Sequence, residues 1–427
     1  MNILLINHCS TNKGDKAVLE FMLHELAVYG VKSITVSANE PTCSQGVRLP
    51  EAVQIQFVPW GWNVAGNRHP GIIGRVIQRA RREFYLRSYS VVRRSLINDK
   101  NLKILSFFCN KSFYRALKAS DVVISVGGHH VTSILSPDAV SPQTFEMALA
   151  LLAGKPLYLW SQSIGPLVFA DNYNCLFVRN IISRSTAIYV REKHSLLELN
   201  MLGFDNSLAF STYETVLGYS VMLDNIIKPS ERFPIVGISV YSVQYRTDNE
   251  KEEYIQALRL TVDHITASGY RVIFFPMQMS QEPGDDRPCI DAVMSAARQP
   301  EMCSIYTERE SMIEHIEEVS KCRVFIGHKT HSVIIALITG TPILAIVYHQ
   351  KTKEFMSQYG LAINCIDDRQ LRSSELINMF ERLKANIDSI SLTQIKKSNE
   401  LGERVRQDFN DMLNRADSSW RAPRKNI

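Results

Sequence analysis

The stretch FIGHKTHSVIIALITGTPILAIVY, residues 325–348, decides the fold. The apolar run at 324–326 suits a buried strand. A polar turn follows, Gly327-His328-Lys329-Thr330-His331, and residues 332–339 then read as an apolar helix. Gly340-Thr341-Pro342 ends that helix, because proline lacks an amide donor and glycine accepts turn conformations. A second apolar strand occupies 343–347. Strand, turn, helix and strand make one crossover unit of a parallel sheet, since parallel neighbours need a connection long enough to hold a helix.

The same alternation runs back toward the N-terminus. Strands are expected at 235–240 and 272–275, with helices at 251–268 and 311–321. Earlier strands are expected at 2–7, 33–37, 55–58, 121–126, 157–160 and 187–190, with helices at 14–29, 144–153 and 193–202. Repeated βα alternation predicts an α/β protein with two Rossmann-like domains facing a cleft. The polar stretch DNIIKPSERF at 224–233 interrupts the rhythm. The domains are therefore expected over 1–225 and 226–427, the second carrying C-terminal helices. A chain of 427 residues is also too long for one ordinary core.

Segment 71–100 departs from the pattern. It carries Arg75, Arg79, Arg81, Arg82, Arg87, Arg93 and Arg94, interleaved with Val76, Ile77, Phe84, Tyr85, Leu86, Val91 and Val92. Two readings suit such a basic amphipathic helix. It can pack by its apolar face and leave its arginines in water, or it can make peripheral contact with an anionic membrane.

Composition narrows the class. Hydrophobic residues make up 45% and charged residues 21%, the balance of a globular protein rather than a disordered chain. The formal charge of +5 is mild, which argues against nucleic acid and suits an enzyme of phosphates or carboxylates. No apolar run is long enough to span a bilayer, and MNILLINHCS reads as a first strand, not a signal peptide. A cytoplasmic location is expected. The eight cysteines show no metal spacing, so reduced thiols are expected. HExxH, GxSxG and GxGxxG are all absent, which weighs against zincins, serine hydrolases and dinucleotide enzymes. Neither metal nor cofactor is called for.

In open parallel sheets, ligands bind beyond the C-terminal ends of the strands. Four polar strand exits qualify. The loop 7–15 contains Asn12 and Asp15 at the start of a helix, where free N–H groups favour anions; a simple helix cap is the alternative there. Gly127 and Gly128 allow close backbone approach, with His129 and His130 beside them. Ser161-Gln162-Ser163 offers hydroxyls and an amide to a sugar, and Arg191-Glu192 ends the next strand, where a guanidinium can clamp an anion. The fourth exit gathers His328, Lys329 and His331, with Tyr348, His349 and Lys351 at the following strand end. Histidine titrates near neutrality and is a natural acid or base.

These segments together resemble the polysaccharide pyruvyl transferase family: NHCSTNKGDKAVL at 7–19, DVVISVGG at 121–128, SQSIGP at 161–166, REKHSLLEL at 191–199 and the opening stretch at 325–348. The resemblance implies a GT-B-like fold. It also implies transfer of a pyruvyl group from phosphoenolpyruvate to two hydroxyls of a sugar, forming a ketal. The saccharide acceptor would belong to a surface polysaccharide or its precursor, free or lipid-linked. The histidine of the family's Arg-x-His-Ser motif falls on His331 and its arginine on Lys329. The family commonly has an aspartate after the strand near Ala209–Ser211, where this chain has only Glu214 nearby, and small or aromatic residues where this chain has His129 and His130. The expected site is therefore His331 and His328 for acid–base work, with Lys329, Arg191, Lys351, Gly127 and Gly128 around the donor's anions. Asn12, Asp15, Gln162 and Glu192 would face the acceptor. Two other readings stay open: a GT-B-like glycosyltransferase using a nucleotide sugar, and an inactive saccharide-binding paralogue.

Overall fold

The computed structural model describes residues 1–10, 12–44, 50–51, 53–62, 72–99, 105–134, 137–204, 206–223, 227–241, 247–279, 284–307, 311–348 and 350–421. Thr11, His349, Gly71, Lys100 and the expected domain boundary at 225/226 lie outside the described residues.

Two parallel sheets form. The first contains β1 (Asn2–His8), β2 (Ser33–Ala38), β3 (Gln54–Pro59), β4 (Val122–Ser125), β5 (Gly128–Val131), β6 (Leu157–Ile164), β7 (Ala187–Val190) and β8 (Ala209–Ser211). Its order is β3-β2-β1-β4-β6-β7-β8, with β5 also paired to β6. The second contains β9 (Phe233–Ile238), β10 (Arg271–Phe274), β11 (Cys303–Ile305), β12 (Cys322–Gly327), β13 (Ile343–Val347) and β14 (Cys365–Asp367), in the order β11-β10-β9-β12-β13-β14. That is the doubly wound arrangement, in which the strand order reverses beside the first strand of the sheet. All its pairings are parallel, and β12, β13 and the helix between them (Thr330–Ile338) form the expected crossover.

Two expectations need correcting. The sequence places Gly128-His129-His130 and Ser161-Gln162-Ser163 in exit loops. The structure makes the first a strand and runs the second inside β6. The cause is backbone pairing of Gly128 with Gln162 and of Val131 with Ile164, which carries the sheet past the point where the apolar run ends.

The helix α1 (Lys13–Val28) follows β1 and is buried along most of its length. Its Phe21 and Met22 belong to the same core as Met312, Val333 and Ile334 of the second half. One apolar cluster thus continues across the cleft floor and fixes the two sheets against each other. Each fully buried side chain of that size contributes about 1.5–3 kcal/mol.

The last helix (Ile387–Arg421) begins beside the second sheet and ends on the first. Phe409 packs edge-on against Trp160 at 4.7 Å between centroids and lies 6.3 Å from Phe21. Tyr29 Oη donates to Asn414 Oδ1 at 2.9 Å. Gly402 allows the crossing, because a Cβ there would press on Ser220 and the Leu217 carbonyl. Among the described residues no helix is long and apolar enough to cross a membrane.

Candidate functional site

The strand exits of the two sheets enclose a cavity of about 450 Å³. Asn7, Asn12, Asp15, Gly128, His130, Gln143 and Arg191 line it from the first half; Tyr241, Met277, Gln278, Lys329, His331, Tyr348 and Lys351 line it from the second.

The first wall starts at the end of β1. Asn7 adopts a positive φ of 72°, unusual for a residue with a side chain. Its amide donates to the buried Glu146 carboxylate at 3.0 Å, and Glu146 also accepts from Ser37 Oγ and the Gly61 amide, both at 2.6 Å. The carboxylate pins three chain segments behind the cavity. Asn12 then caps α1, its Oδ1 accepting from the Gly14 amide at 2.8 Å. Asp15 sits in the first turn and faces the cavity. Burial raises its pKa to about 7, against the opposing pull of Arg191.

The second wall comes from the Gly327–His331 turn. His331 lies in the first turn of its helix, against Gly14, where a Cβ would overlap the imidazole. The N-termini of α1 and of helix Thr330–Ile338 therefore meet in the cavity, and both present partial positive charge to an anion. Burial lowers the His331 pKa to about 4, so the ring is neutral at pH 7. Its Nε2 is buried and has no hydrogen-bond partner among the described residues.

Between the walls lies a compact charge network. Arg191 pairs with the buried carboxylate of Glu214, donates through Nε to Ser163 Oγ at 2.8 Å, and approaches Glu192 at 3.4 Å. Lys351 reaches across from the second half, 3.4 Å from Glu192 and 3.6 Å from Glu214. Glu214 is fully buried, which would raise its pKa, yet Arg191 and Lys351 together hold it below the usual carboxylate range. Burial, with Arg191 adding to it, lowers the Lys351 pKa.

The structure thus brings Asn12, Asp15, Gly128, Arg191, Lys329, His331 and Lys351 into one cavity. The other expected site residues lie outside its lining. His328 is buried behind the wall: Nδ1 is 2.6 Å from Tyr254 Oη, Nε2 is 3.3 Å from Asp368, and Tyr241 and Tyr348 pack on its ring. Those two tyrosines stack at 4.4 Å and do line the cavity, so His328 supports them from behind. Gln162 is buried in β6, where Nε2 donates to the Val126 and Trp160 carbonyls. Gly127 packs against Thr215 and Val18. Glu192 faces a neighbouring recess shared with His129, Ser163 and His194.

Lys329 lines the cavity with part of its ammonium already engaged. Its Nζ lies 2.7 Å from Asp286, a buried carboxylate in the segment after β10. Sequence reasoning missed Asp286, because an acid near glycine and proline reads as solvated loop. It noted Glu214 only as a departure, since a carboxylate beside tyrosine and threonine gives no sign of its partner. Among the described residues no cluster of His, Cys, Asp or Glu could hold a metal ion.

The family model for polysaccharide pyruvyl transferase matches residues 69–350. The amylovoran biosynthesis protein AmsJ of Erwinia amylovora is 24% identical over 427 residues, covering 96% of this chain and 99% of that protein. Among solved structures, S. aureus MnaA with UDP superposes with a TM-score of 0.57 at 10% identity, covering 97% of each chain. The UDP-GlcNAc 2-epimerase of Neisseria meningitidis bound to UDP-GlcNAc gives 0.56 at 11% identity, covering 97% of this chain and 100% of that one. At such identities the likeness shows the shared two-domain GT-B-like fold alone.

Proposed function

This chain belongs to the polysaccharide pyruvyl transferase family, and from that premise we propose that it moves a pyruvyl group from phosphoenolpyruvate onto two hydroxyls of a polysaccharide sugar or its precursor. The observation that carries the reading is the pairing, in one cavity, of a carboxyl with a pKa near 7 and a neutral imidazole with a buried, unpartnered nitrogen.

The reaction needs one group to give a proton and one to take it. Asp15, protonated in a large fraction of molecules at neutral pH, gives its proton to the methylene carbon of the donor, and positive charge develops at the adjacent carbon. A sugar hydroxyl attacks that carbon while His331 accepts its proton. The C–O bond to phosphate then breaks with its electron pair, phosphate leaves with the proton that His331 took, and the second hydroxyl closes the ketal as its own proton returns to Asp15. One donor and two hydroxyls become one cyclic ketal and one phosphate. Arg191, Lys351 and Lys329 each have N–H donors beyond those in their ion pairs, and these, with the two helix N-termini, hold the donor's phosphate and carboxylate. Asn12 and Gln143 are placed to meet acceptor hydroxyls.

The test follows phosphate release from phosphoenolpyruvate with a panel of saccharide acceptors, alongside UDP release from UDP-sugars with the same panel. Phosphate release that requires both donor and acceptor supports the reading. UDP release without phosphate release would assign a glycosyltransferase, and turnover with neither donor, despite saccharide binding, would assign a binding protein.

A further inference from the structure

The helix α2 (Ile72–Ile97) has two apolar faces, and the fold uses only one of them. At 100° per residue, Tyr85, Tyr89, Val92 and Leu96 share one side. All four are buried in the core of the first half. Val76, Ile77, Ala80, Phe84 and Val91 fall within about 100° of arc on a different side, roughly 140° round the axis. These stay in contact with water: Val76 is 62% exposed, Ile77 40%, Phe84 49% and Val91 38%. Phe84 touches Trp62 at 5.5 Å between centroids, yet remains half exposed. The first part of the helix stands clear of the body, every residue from 75 to 84 being exposed.

Charge identifies what would cover this face. Arg75, Arg79, Arg81, Arg82, Arg87 and Arg94 are all exposed, and Glu83 is the helix's only acid. Arg81 borders the apolar stripe on one edge and Arg87 and Arg94 on the other. Arginine stems can lie along an apolar surface while their guanidinium groups reach polar headgroups. A second copy of the chain would set these cations against their own kind. Nucleic acid would match the charge but leave Val76 and Ile77 in water. A bilayer with anionic headgroups satisfies both the stripe and its flanks.

We propose that the exposed face of α2 docks the protein on an anionic lipid surface. The helix is coupled to the cavity: Tyr89 Oη and Thr144 Oγ1 are 2.9 Å apart, and the adjacent Gln143 lines the cavity rim. The docked protein therefore holds its site close to the membrane. The proposal does not depend on which donor the site uses.

The experiment is co-sedimentation of the full chain with phosphatidylcholine vesicles and with vesicles of equal parts phosphatidylcholine and phosphatidylglycerol. Binding to the anionic vesicles alone, weakened by salt, is expected. Each arginine near such a surface contributes about fivefold to partitioning, so Arg81→Glu with Arg87→Glu, on the two edges of the stripe, should lower it by at least about 25-fold. Val76→Ser with Ile77→Ser should lower it by roughly tenfold. All four positions are exposed, so both variants should fold, and unchanged circular dichroism and melting would confirm it. Absence of binding to anionic vesicles overturns the proposal, and so does equal binding to phosphatidylcholine. A dimer in sedimentation velocity that the Val76→Ser, Ile77→Ser variant dissolves would assign the face to self-association and overturn it too.

Discussion

The ammonium of Lys329 lies 2.7 Å from one oxygen of Asp286, whose other oxygen accepts the Met277 and Gln278 amides at 2.9 and 3.0 Å. Lys329 therefore ties a cavity-lining segment in place as well as supplying charge. Removing one partner of a buried pair typically costs about 3–5 kcal/mol, because the other is left uncompensated. Burial already raises the Asp286 pKa, so in the mutant this carboxyl can take up a proton and soften the loss. Lys329→Ala should lower stability in urea denaturation by up to that amount, and Asp286→Asn in the same chain should restore much of it. A Lys329→Ala protein as stable as wild type would show that the pair is not structural.

Gly14 and His331 give a second prediction. An alanine in the first turn of a helix is ordinarily favourable by about 0.5–1 kcal/mol relative to glycine. Here the added methyl would occupy the imidazole's space. Gly14→Ala should destabilise the protein and lower turnover toward the level of His331→Ala, itself expected to be about 10²–10⁴ below wild type. Gly14→Ala combined with His331→Ala should recover stability without recovering turnover, as melting curves and phosphate release would report.

The pKa values of the cavity set a pH profile. Turnover requires neutral His331 and protonated Asp15, so it should rise through about pH 4 and fall through about pH 7. Asp15→Asn should lower turnover by about 10²–10⁴ and remove the fall on the alkaline side. A flat profile from pH 5 to 9 in the wild-type enzyme would contradict the assignment.

The same groups predict stability against pH. The folded-state pKa of Asp15 is raised, so between about pH 4 and pH 7 the native chain holds a proton that the unfolded chain has released. Stability contributed by this carboxyl is thus full at low pH and declines across that window, by no more than about 4 kcal/mol. Asp15→Asn should melt higher than wild type at pH 8. The histidines act on the acid side. Burial lowers the pKa of His8 and His130 to about 3 and of His331 to about 4, so below about pH 6.5 the unfolded chain binds protons that the native one refuses. This histidine contribution falls as pH drops from 6.5 toward 4 while that of Asp15 rises, and melting temperatures of wild type and Asp15→Asn across a buffer series would separate the two slopes.

Breaking the Arg191–Glu214 pair should be more damaging than removing an exposed charge. Glu214→Gln leaves Arg191 and Lys351 sharing the one carboxylate of Glu192 in a buried site, at an expected cost of about 3–5 kcal/mol. Chemical denaturation would measure it. A loss below about 1 kcal/mol would place the pair among exposed ones.

Much of the fold was legible because the apolar runs alternate with helical spacing, and the turn at Gly327–His331 was legible because its polar residues interrupt an otherwise apolar stretch. Convergence of that turn with Asp15 and Arg191 followed from the strand-exit rule. What the sequence hid is the direction of side chains once chain segments far apart are brought together. His328 and His331 are three residues apart in one polar turn, yet one faces the tyrosines behind the wall and the other the cavity. Gln162 looked like a loop amide until its strand proved longer than its apolar run. Asp286 and Glu214 acquire meaning only from partners distant in sequence.

The closing helix has a consequence for motion. Because Phe409 rests on Trp160 while the start of the same helix stays with the second sheet, it acts as a hasp across both halves. Any wide gaping of the cleft must first slide that aromatic contact apart or bend the helix. Substrates therefore enter by local movements at the rim, and a chain whose two sheets are already complete still lacks a rigid site until its final segment has latched. Slow hydrogen exchange in helix Ile387–Arg421, matching that of the central strands, is the expected signature; exchange as fast as in the surface loops would mean that the hasp stands open.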